Sequence, residues 1–411
     1  MPLSTIAELT ADLRAGKMIV LADDENRENE GDLVCAAEFA APEAVNFMAT
    51  HARGWICLAL PGETCDRLGL PPMVASNRSL FQTGFTVTIE AARGVGTGIS
   101  AGDRSRTMRL AARPDAQASD FVRPGHVQPI RAREGGSLVR AGQTEGSIDL
   151  CRLAGLEPAA VICEIMNPDG TMARMPQLAE FCGRHGLKLG TVAQIIAHRR
   201  KAEKLVHAVA SARMPTPLGP FMLHAYHAPL LGESHYALTL GDLRPGGPAL
   251  GDPVLCRVHS ECLTGDVFGS LRCDCGGQLE QAMRMVAEAG RGVVLYLRQE
   301  GRGIGLDAKL KAYALQEKGL DTVEANLALG LPADARDYAL GAQILVDLGL
   351  RRLRLMTNNP VKLEGLEDHG LRVVERVPIV TAPRDENRDY LEAKRTKMGH
   401  MLDADHVPPK P

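Results

Sequence analysis

Residues 292–317 read GVVLYLRQEGRGIGLDAKLKAYALQE. An apolar, β-branched run (292–297) stops at a polar, Gly-rich loop (300–305), and a helical pattern follows over 306–317. Strand, polar loop and helix in that order is how α/β proteins present functional groups at strand ends. The arrangement recurs at 353–356, an apolar run ending in Thr357-Asn358-Asn359-Pro360. Nearer the N-terminus, the short apolar runs 18–21, 55–60 and 85–89 alternate with helical patterns and Gly-rich turns, so the first half also reads as α+β or α/β. Between 180 and 212 the pattern is helical and ends in a basic, polar run at 198–204; the Pro/Gly cluster at 214–220 cannot continue a helix. The expectation is two mixed α/β domains joined by a short helical linker, residues 1–204 and 205–411. The tail at 403–411, with three prolines, is expected to fray.

The 411 residues are 45% hydrophobic and 24% charged, ordinary globular usage that argues against disorder and fibrous repeats. The 47 Lys and Arg against 50 Asp and Glu leave a net charge of −3, and only 4% of residues are aromatic. A nucleic-acid binder shows a basic excess and stacking aromatics, so no nucleic-acid partner is expected. No uncharged apolar run approaches the roughly 18 residues that span a bilayer, and the N-terminus lacks the basic and small-residue features of a signal peptide. A cytoplasmic protein with no membrane contact is expected. Ten cysteines in so long a chain are not a disulfide scaffold, so their spacing carries the information.

Cys262, Cys273 and Cys275 form the sharpest cluster. Three thiolates so spaced can converge on a tetrahedral Zn²⁺, and a fourth position left open is the mark of a catalytic zinc. His259 is the nearest candidate for a fourth ligand. Buried, inert thiols are the plainer alternative, but the polar, Gly-rich surroundings do not read as core. Zinc-bound water ionises near neutral pH and suits C–N hydrolysis or ring opening. The neighbouring Arg257, Glu261, Glu300, Gly301 and Arg302 add charged groups and flexible backbone of the kind that cradles phosphate. A P-loop, G-x-x-x-x-G-K-[ST], is absent.

The second half, from about 214 to 400, resembles GTP cyclohydrolase II of the riboflavin pathway. The resemblance rests on HSECLTGDVFGSLRCDCG (259–276), RQEGRGIGL (298–306), DTVEAN (321–326), PADARDY (332–338) and TNNPVK (357–362). It implies Zn²⁺ on Cys262, Cys273 and Cys275. It also implies GTP contacts from Arg257, Glu261, Gln278, Glu300, Gly301, Arg302, Thr322, Thr357 and Lys362. Asp334 would be the general base, Arg336 the group that attacks the α-phosphorus with loss of pyrophosphate, and Tyr313 a neighbour of the base being opened. Arginine forks suit phosphates, while Gln278 and Glu300 can read a guanine edge.

The first half carries a dense acidic stretch, DDENRENEGD (23–32), with carboxylates at 23, 24, 25, 28, 30 and 32 around one arginine. Such a loop is either solvated or holds a hard cation such as Mg²⁺. With RPGH (123–126), RAGQTEG (140–146) and Glu164, the stretch from about 4 to 197 resembles 3,4-dihydroxy-2-butanone 4-phosphate synthase. That resemblance implies a Mg²⁺ or Mn²⁺ site acting on ribulose 5-phosphate, with Glu28 a ligand. It assigns Arg27, Asp32, Arg140 and Thr144 to the substrate, and His126 and Glu164 to proton transfer. In place of the family's second ligand, a His in G-H-T-E, this chain has Gln143. A Gln oxygen can ligate Mg²⁺ but is a weaker donor and no base. The segment 94–100, GVGTGIS, lacks dinucleotide-binding spacing and reads as a turn or sheet edge.

Both activities on one chain, and by analogy a homodimer, are what these resemblances imply. Two rivals stand beside that reading: only the cyclohydrolase works, or the chain is a zinc-stabilised, GTP-sensing module without turnover.

Overall fold

The computed structural model describes residues 2–332, 334, 336, 338–367, 369–397, 399 and 401. The chain divides into two compact units, Met1–Ala202 and Glu203–Pro411. Each is built on a seven-stranded mixed sheet. The first holds β1 (Ile19–Ala22), β2 (Gly31–Ala36), β3 (Cys57–Leu60), β4 (Ile89–Ala91), β5 (Phe121–Arg131), β6 (Ala160–Glu164) and β7 (Leu189–Thr191), in the order β4-β5-β3-β6-β2-β1-β7. Val20, Ala22, Leu33 and Cys35 enter one apolar cluster, while Ile19, Leu21, Val34 and Ala36 enter another. Period-two alternation thus buries both faces, which is why these strands read as unbroken apolar runs.

In the second unit β8 (His207–Thr216), β9 (Gly219–Ala228) and β10 (Glu233–Leu240) form an antiparallel meander. β11 (Val254–Ser260), β12 (Gly292–Leu297), β13 (Arg352–Met356) and β14 (Arg372–Val377) follow, with β11 parallel to both β12 and β13. Their carboxyl ends therefore open on one edge of the sheet, where His259 to Cys262, Glu300 to Arg302 and Thr357 emerge. At the opposite edge Gly290, in the left-handed region (φ 68°), ends the helix Cys275–Ala289 and turns the chain into β12.

The Pro/Gly cluster is the β8–β9 hairpin turn, Thr216 pairing with Gly219. The run 85–89 is mostly not strand: Phe85 makes only an isolated bridge to Ile130, and regular pairing begins at Ile89. The helical stretch 180–212 resolves into the end of the helix Met175–His185, β7, the helix Val192–Ala202 and the start of β8. Val192 and Ile195 of the Val192–Ala202 helix join the first unit's core, and its Arg199 bonds Asp149 at 2.8 Å. Arg199 alone of the basic run is thus buried in that unit. The tail 403–411 lies outside the described residues.

Candidate active sites

The three cysteines meet because a short helix, Leu263–Asp266, folds against the start of the helix Cys275–Ala289. A Cβ on Gly276 would lie 2.3 Å from the Gly265 carbonyl oxygen, and one on Gly265 would lie 2.9 Å from Cys273 Sγ. Two glycines therefore permit the approach. Cys262 Sγ stands 3.7 Å from Cys273 Sγ, and the three sulfurs lie within 4.8 Å of one another. A disulfide needs about 2.05 Å, whereas Zn–S bonds of about 2.3 Å at tetrahedral angles place sulfurs about 3.8 Å apart. The donor set fits zinc. Hydrogen bonds from its two neighbours hold the Cys262 thiol far below the usual range, and sharing with Cys262 pushes Cys273 up to about 11.

His259 is no fourth ligand. Its Nε2 faces Asp266 at 3.1 Å, its ring stacks on Tyr296, and the thiol cluster excludes it. Asp266 also accepts from the Cys262 amide and the Tyr296 hydroxyl, so its carboxylate organises the loop beneath the thiols.

One cleft is lined by the cysteines together with Arg257, Glu261, Gln278, Glu300, Gly301, Arg302, Tyr313, Thr322, Arg336, Thr357 and Lys362. Asp334 reaches it through Arg336, whose Nε donates to Asp334 Oδ1 at 2.8 Å while Nη2 donates to Oδ2. Burial works to raise the Asp334 carboxyl, but the Arg336 guanidinium holds it below its usual value. Arg257 donates to Gln278 Oε1 at 2.5 Å, and Gln278 Nε2 to Asp274 at 2.6 Å. Asp274 also accepts from Lys394 at 2.6 Å. Gly301 (φ 62°) and Arg302 (φ 63°) are both left-handed, a strain tolerated at Arg302 only because the loop fixes it. Among the described residues both terminal nitrogens of Arg302 are buried with no hydrogen-bond partner. The Lys362 ammonium is pushed well below its ordinary range by burial and then by Arg257, Arg336 and Lys394.

Sequence reasoning missed Lys309, Asn326, Tyr390 and Lys394 of this cleft, and Asp274 behind its Gln278. Lys309 reads as one more lysine in a helical pattern, and Lys394 belongs to a segment with no motif.

In the first unit, Asp32 on β2 and Glu164 on β6 are register partners across an antiparallel pair. Both carboxyls are raised, Asp32 well above its ordinary value, by burial first and then by neighbouring acids. The Trp55 amide donates to Glu164 at 2.8 Å. Arg27 and Arg140 flank Gly142, where a Cβ would meet Arg140 Nη1 at 2.5 Å and Arg27 Nη2 at 3.0 Å. Arg140 is held by Glu145 at 2.7 Å and Thr83 at 3.1 Å. Gln143 and Thr144 open the helix Gln143–Leu153 and are buried. His126 lies on β5, two strands from β6, with Nδ1 at 2.6 Å from Glu90 Oε2. Glu90 was missed, and so was its fit to the 94–100 segment: a Cβ on Gly98 would fall 1.9 Å from Glu90 Oε2.

The acidic stretch does not converge as a metal cage. Among the described residues only the three cysteines form a metal-binding group of His, Cys, Asp or Glu. Asp23 instead ties its own loop, accepting from Arg27 and from the Glu28 and Glu30 amides. Arg27 Nη1 lies 3.2 Å from Gln143 Oε1 and 3.1 Å from Glu28 Oε2. One guanidinium nitrogen thus touches both expected ligands, and a hard ion held there by these two side chains with water and substrate would require Arg27 to move aside.

The folds and clefts define a two-domain α/β protein with a cluster of three thiols able to hold a metal in one unit and a buried carboxylate pair in the other. The family model for 3,4-dihydroxy-2-butanone 4-phosphate synthase matches residues 7–198, and that for GTP cyclohydrolase II matches 207–378. The riboflavin biosynthesis protein RibBA of Aquifex aeolicus is 57% identical over 402 residues, covering 97% of this chain and 98% of the relative. That of Rhodococcus jostii is 57% identical over 401 residues, covering 97% and 96%. A solved structure, RibBX, a two-domain 3,4-dihydroxy-2-butanone 4-phosphate synthase from A. baumannii, superposes with a TM-score of 0.69 at 36% identity, covering 92% of this chain and all of that one. The chain belongs to the bifunctional riboflavin biosynthesis family in which these two enzyme domains are fused. No described helix is long and apolar enough to cross a membrane.

Proposed function

We infer that the chain catalyses two steps of riboflavin biosynthesis: GTP cyclohydrolase II chemistry in the second unit and conversion of ribulose 5-phosphate to 3,4-dihydroxy-2-butanone 4-phosphate in the first. The observation that carries the GTP reading is the crowd of cations in the thiol-lined cleft. Buried Lys362 lies beside Arg257, Arg336 and Lys394, and among the described residues the terminal nitrogens of Arg302 have no hydrogen-bond partner. Asp334 pairs with Arg336 and Asp274 with Lys394, and a bound triphosphate would supply further negative charge to the cations beside them.

Zinc on Cys262, Cys273 and Cys275 would supply an activated water for opening the imidazole ring. Arg336, held at Nε and Nη2 by the two oxygens of Asp334, attacks the α-phosphorus: its N–P bond forms as the bond to the bridging oxygen breaks, pyrophosphate leaves, and Asp334 takes the guanidinium proton. Gln278 and Glu300 read the guanine edge, Lys362 and Arg302 bind phosphate oxygens, and Tyr313 bounds the base.

In the first unit, Arg140 and Arg27 bind the sugar phosphate, Glu164 and Asp32, whose carboxyls burial raises above their ordinary values, take up and return protons, and His126 exchanges protons with the sugar carbons. Glu28 and Gln143 would hold a divalent cation, which would polarise the sugar oxygens, only with Arg27 moved from its present place beside both. Formate measured separately from GTP and from ribulose 5-phosphate, with Zn²⁺ and Mg²⁺ varied, tests both activities. Formate from neither substrate overturns the reading.

A further inference from the structure

We propose that Lys309 is a positioning residue that ties the metal-binding Cys262 to the base-reading Glu300, governing both zinc retention and whether ring opening follows pyrophosphate release. The inference rests on the zinc and GTP reading above. Lys309 sits in the first turn of the helix Leu306–Gln316. Its ammonium donates to Glu300 Oε1 at 2.8 Å, Thr264 Oγ1 at 2.9 Å and Cys262 Sγ at 3.1 Å. An ammonium has three protons, and all three are used. The side chain is only 11% exposed, and the Tyr313 ring lies 5.6 Å from Nζ.

The surrounding chain is shaped to hold it. A Cβ on Gly301 would come within 3.1 Å of Lys309 Cβ, so the Gly-rich loop packs on the lysine stem. The other oxygen of Glu300 accepts from the Leu263 amide at 2.6 Å. Cys262, Leu263, Thr264 and Glu300 are thereby held around one nitrogen.

Charge explains why an ammonium belongs there. Three thiolates against one Zn²⁺ leave a net charge of −1, and Glu300 adds another negative group beside them. Without Lys309 the carboxylate and the Cys262 sulfur would share a low-dielectric pocket with no cation between them. Groups that hydrogen-bond to metal ligands commonly alter metal affinity or activity by about 10–100-fold. Displacing Glu300 would also misplace the guanine ring relative to the metal, while leaving Arg336 and its phosphate untouched.

The test compares wild type with Lys309→Met, which keeps the stem and removes the donors, and with Lys309→Arg, which keeps the charge but replaces the tripod with a planar fork. Zinc affinity is read by chelator competition, and formate and pyrophosphate from GTP are measured in the same reaction. Lys309→Met should bind zinc about 10–100-fold more weakly and release pyrophosphate in excess of formate. Lys309→Arg should stay folded and also release less formate per pyrophosphate than wild type. If Lys309→Met does not fold, the Lys309→Arg ratio decides. Wild-type zinc affinity and a wild-type formate to pyrophosphate ratio in the folded variants would overturn the proposal, leaving Lys309 a purely structural ion pair. Failure of the underlying reading would appear earlier, as wild-type protein that binds no zinc or releases no pyrophosphate from GTP.

Discussion

In the second unit three thiols close around a shared centre; in the first, Glu28 and Gln143 close around an arginine of their own chain. The thiols come from one stretch, 262–275, whose approach is fixed by the backbone packing of Gly265 on Gly276. Glu28 and Gln143 come from distant segments and are aligned only by flexible side chains, so the nearest cation in the chain can fill the gap. A metal centre set by backbone contact keeps its shape before the metal arrives. One assembled from the side chains of a loop and a distant helix start is open to competition.

The largest expected effect breaks the thiol centre. Cys273→Ser should cut formate release from GTP by more than about 100-fold, since loss of a ligand exceeds the usual outer-ligand penalty, while turnover of ribulose 5-phosphate persists. Undiminished formate from GTP in zinc-free protein would show that the thiols are only packed side chains. Arg336→Ala should lower pyrophosphate and formate release together by about 100–1,000-fold, and Arg336→Lys should not restore them, because the bidentate pairing with Asp334 needs a fork. Near-normal pyrophosphate release from Arg336→Ala would remove its role at phosphorus.

In the first unit the comparison can be sharpened by repairing the ligand. Gln143→His should lower the Mg²⁺ concentration needed for half-maximal formate release from ribulose 5-phosphate by about 10-fold, with GTP turnover unchanged. An unaltered Mg²⁺ titration would mean that the amide is a competent ligand or that metal binds elsewhere.

The smallest effect is on stability. Burial, with Glu164, Glu28, Glu30 and Asp23 nearby, raises the Asp32 carboxyl well above its ordinary 3.8. The folded state therefore holds this proton more tightly than the unfolded chain. The stability it contributes is present at low pH and is lost as pH rises through the raised value. Asp32→Asn should stabilise the first unit at neutral pH by about 1 kcal/mol, flatten that pH dependence, and abolish synthase turnover. Thermal unfolding at several pH values checks this, and a destabilised variant would contradict it.

Much of the thiol centre was legible because its ligands sit close in sequence among polar and Gly residues that a buried core would not use. The strand–loop–helix grammar likewise located Glu300 and Thr357 at strand ends. His259 misled because proximity in sequence says nothing of ring direction; its partner is Asp266. Lys309 was invisible since its three acceptors come from two other segments, and a helical lysine usually faces water. The acidic stretch is hard to read for a different reason: a carboxylate that bonds its own loop amides, as Asp23 does, looks the same in sequence as one awaiting a cation. Likewise, nothing in the text of β2 and β6 announces that Asp32 and Glu164 are opposite one another, since register is a property of the paired strands.

The turn at Gly290 has a practical consequence for anyone who wishes to label or re-engineer the cyclohydrolase half. It lies at the amino end of β12, a full strand length from Glu300, and a Cβ built there meets no atom within 4 Å. A fluorescent tag, an affinity handle or new chain ends could be introduced at that corner with the glycine retained. Every loop that handles GTP would keep its attachment at the far edge of the sheet.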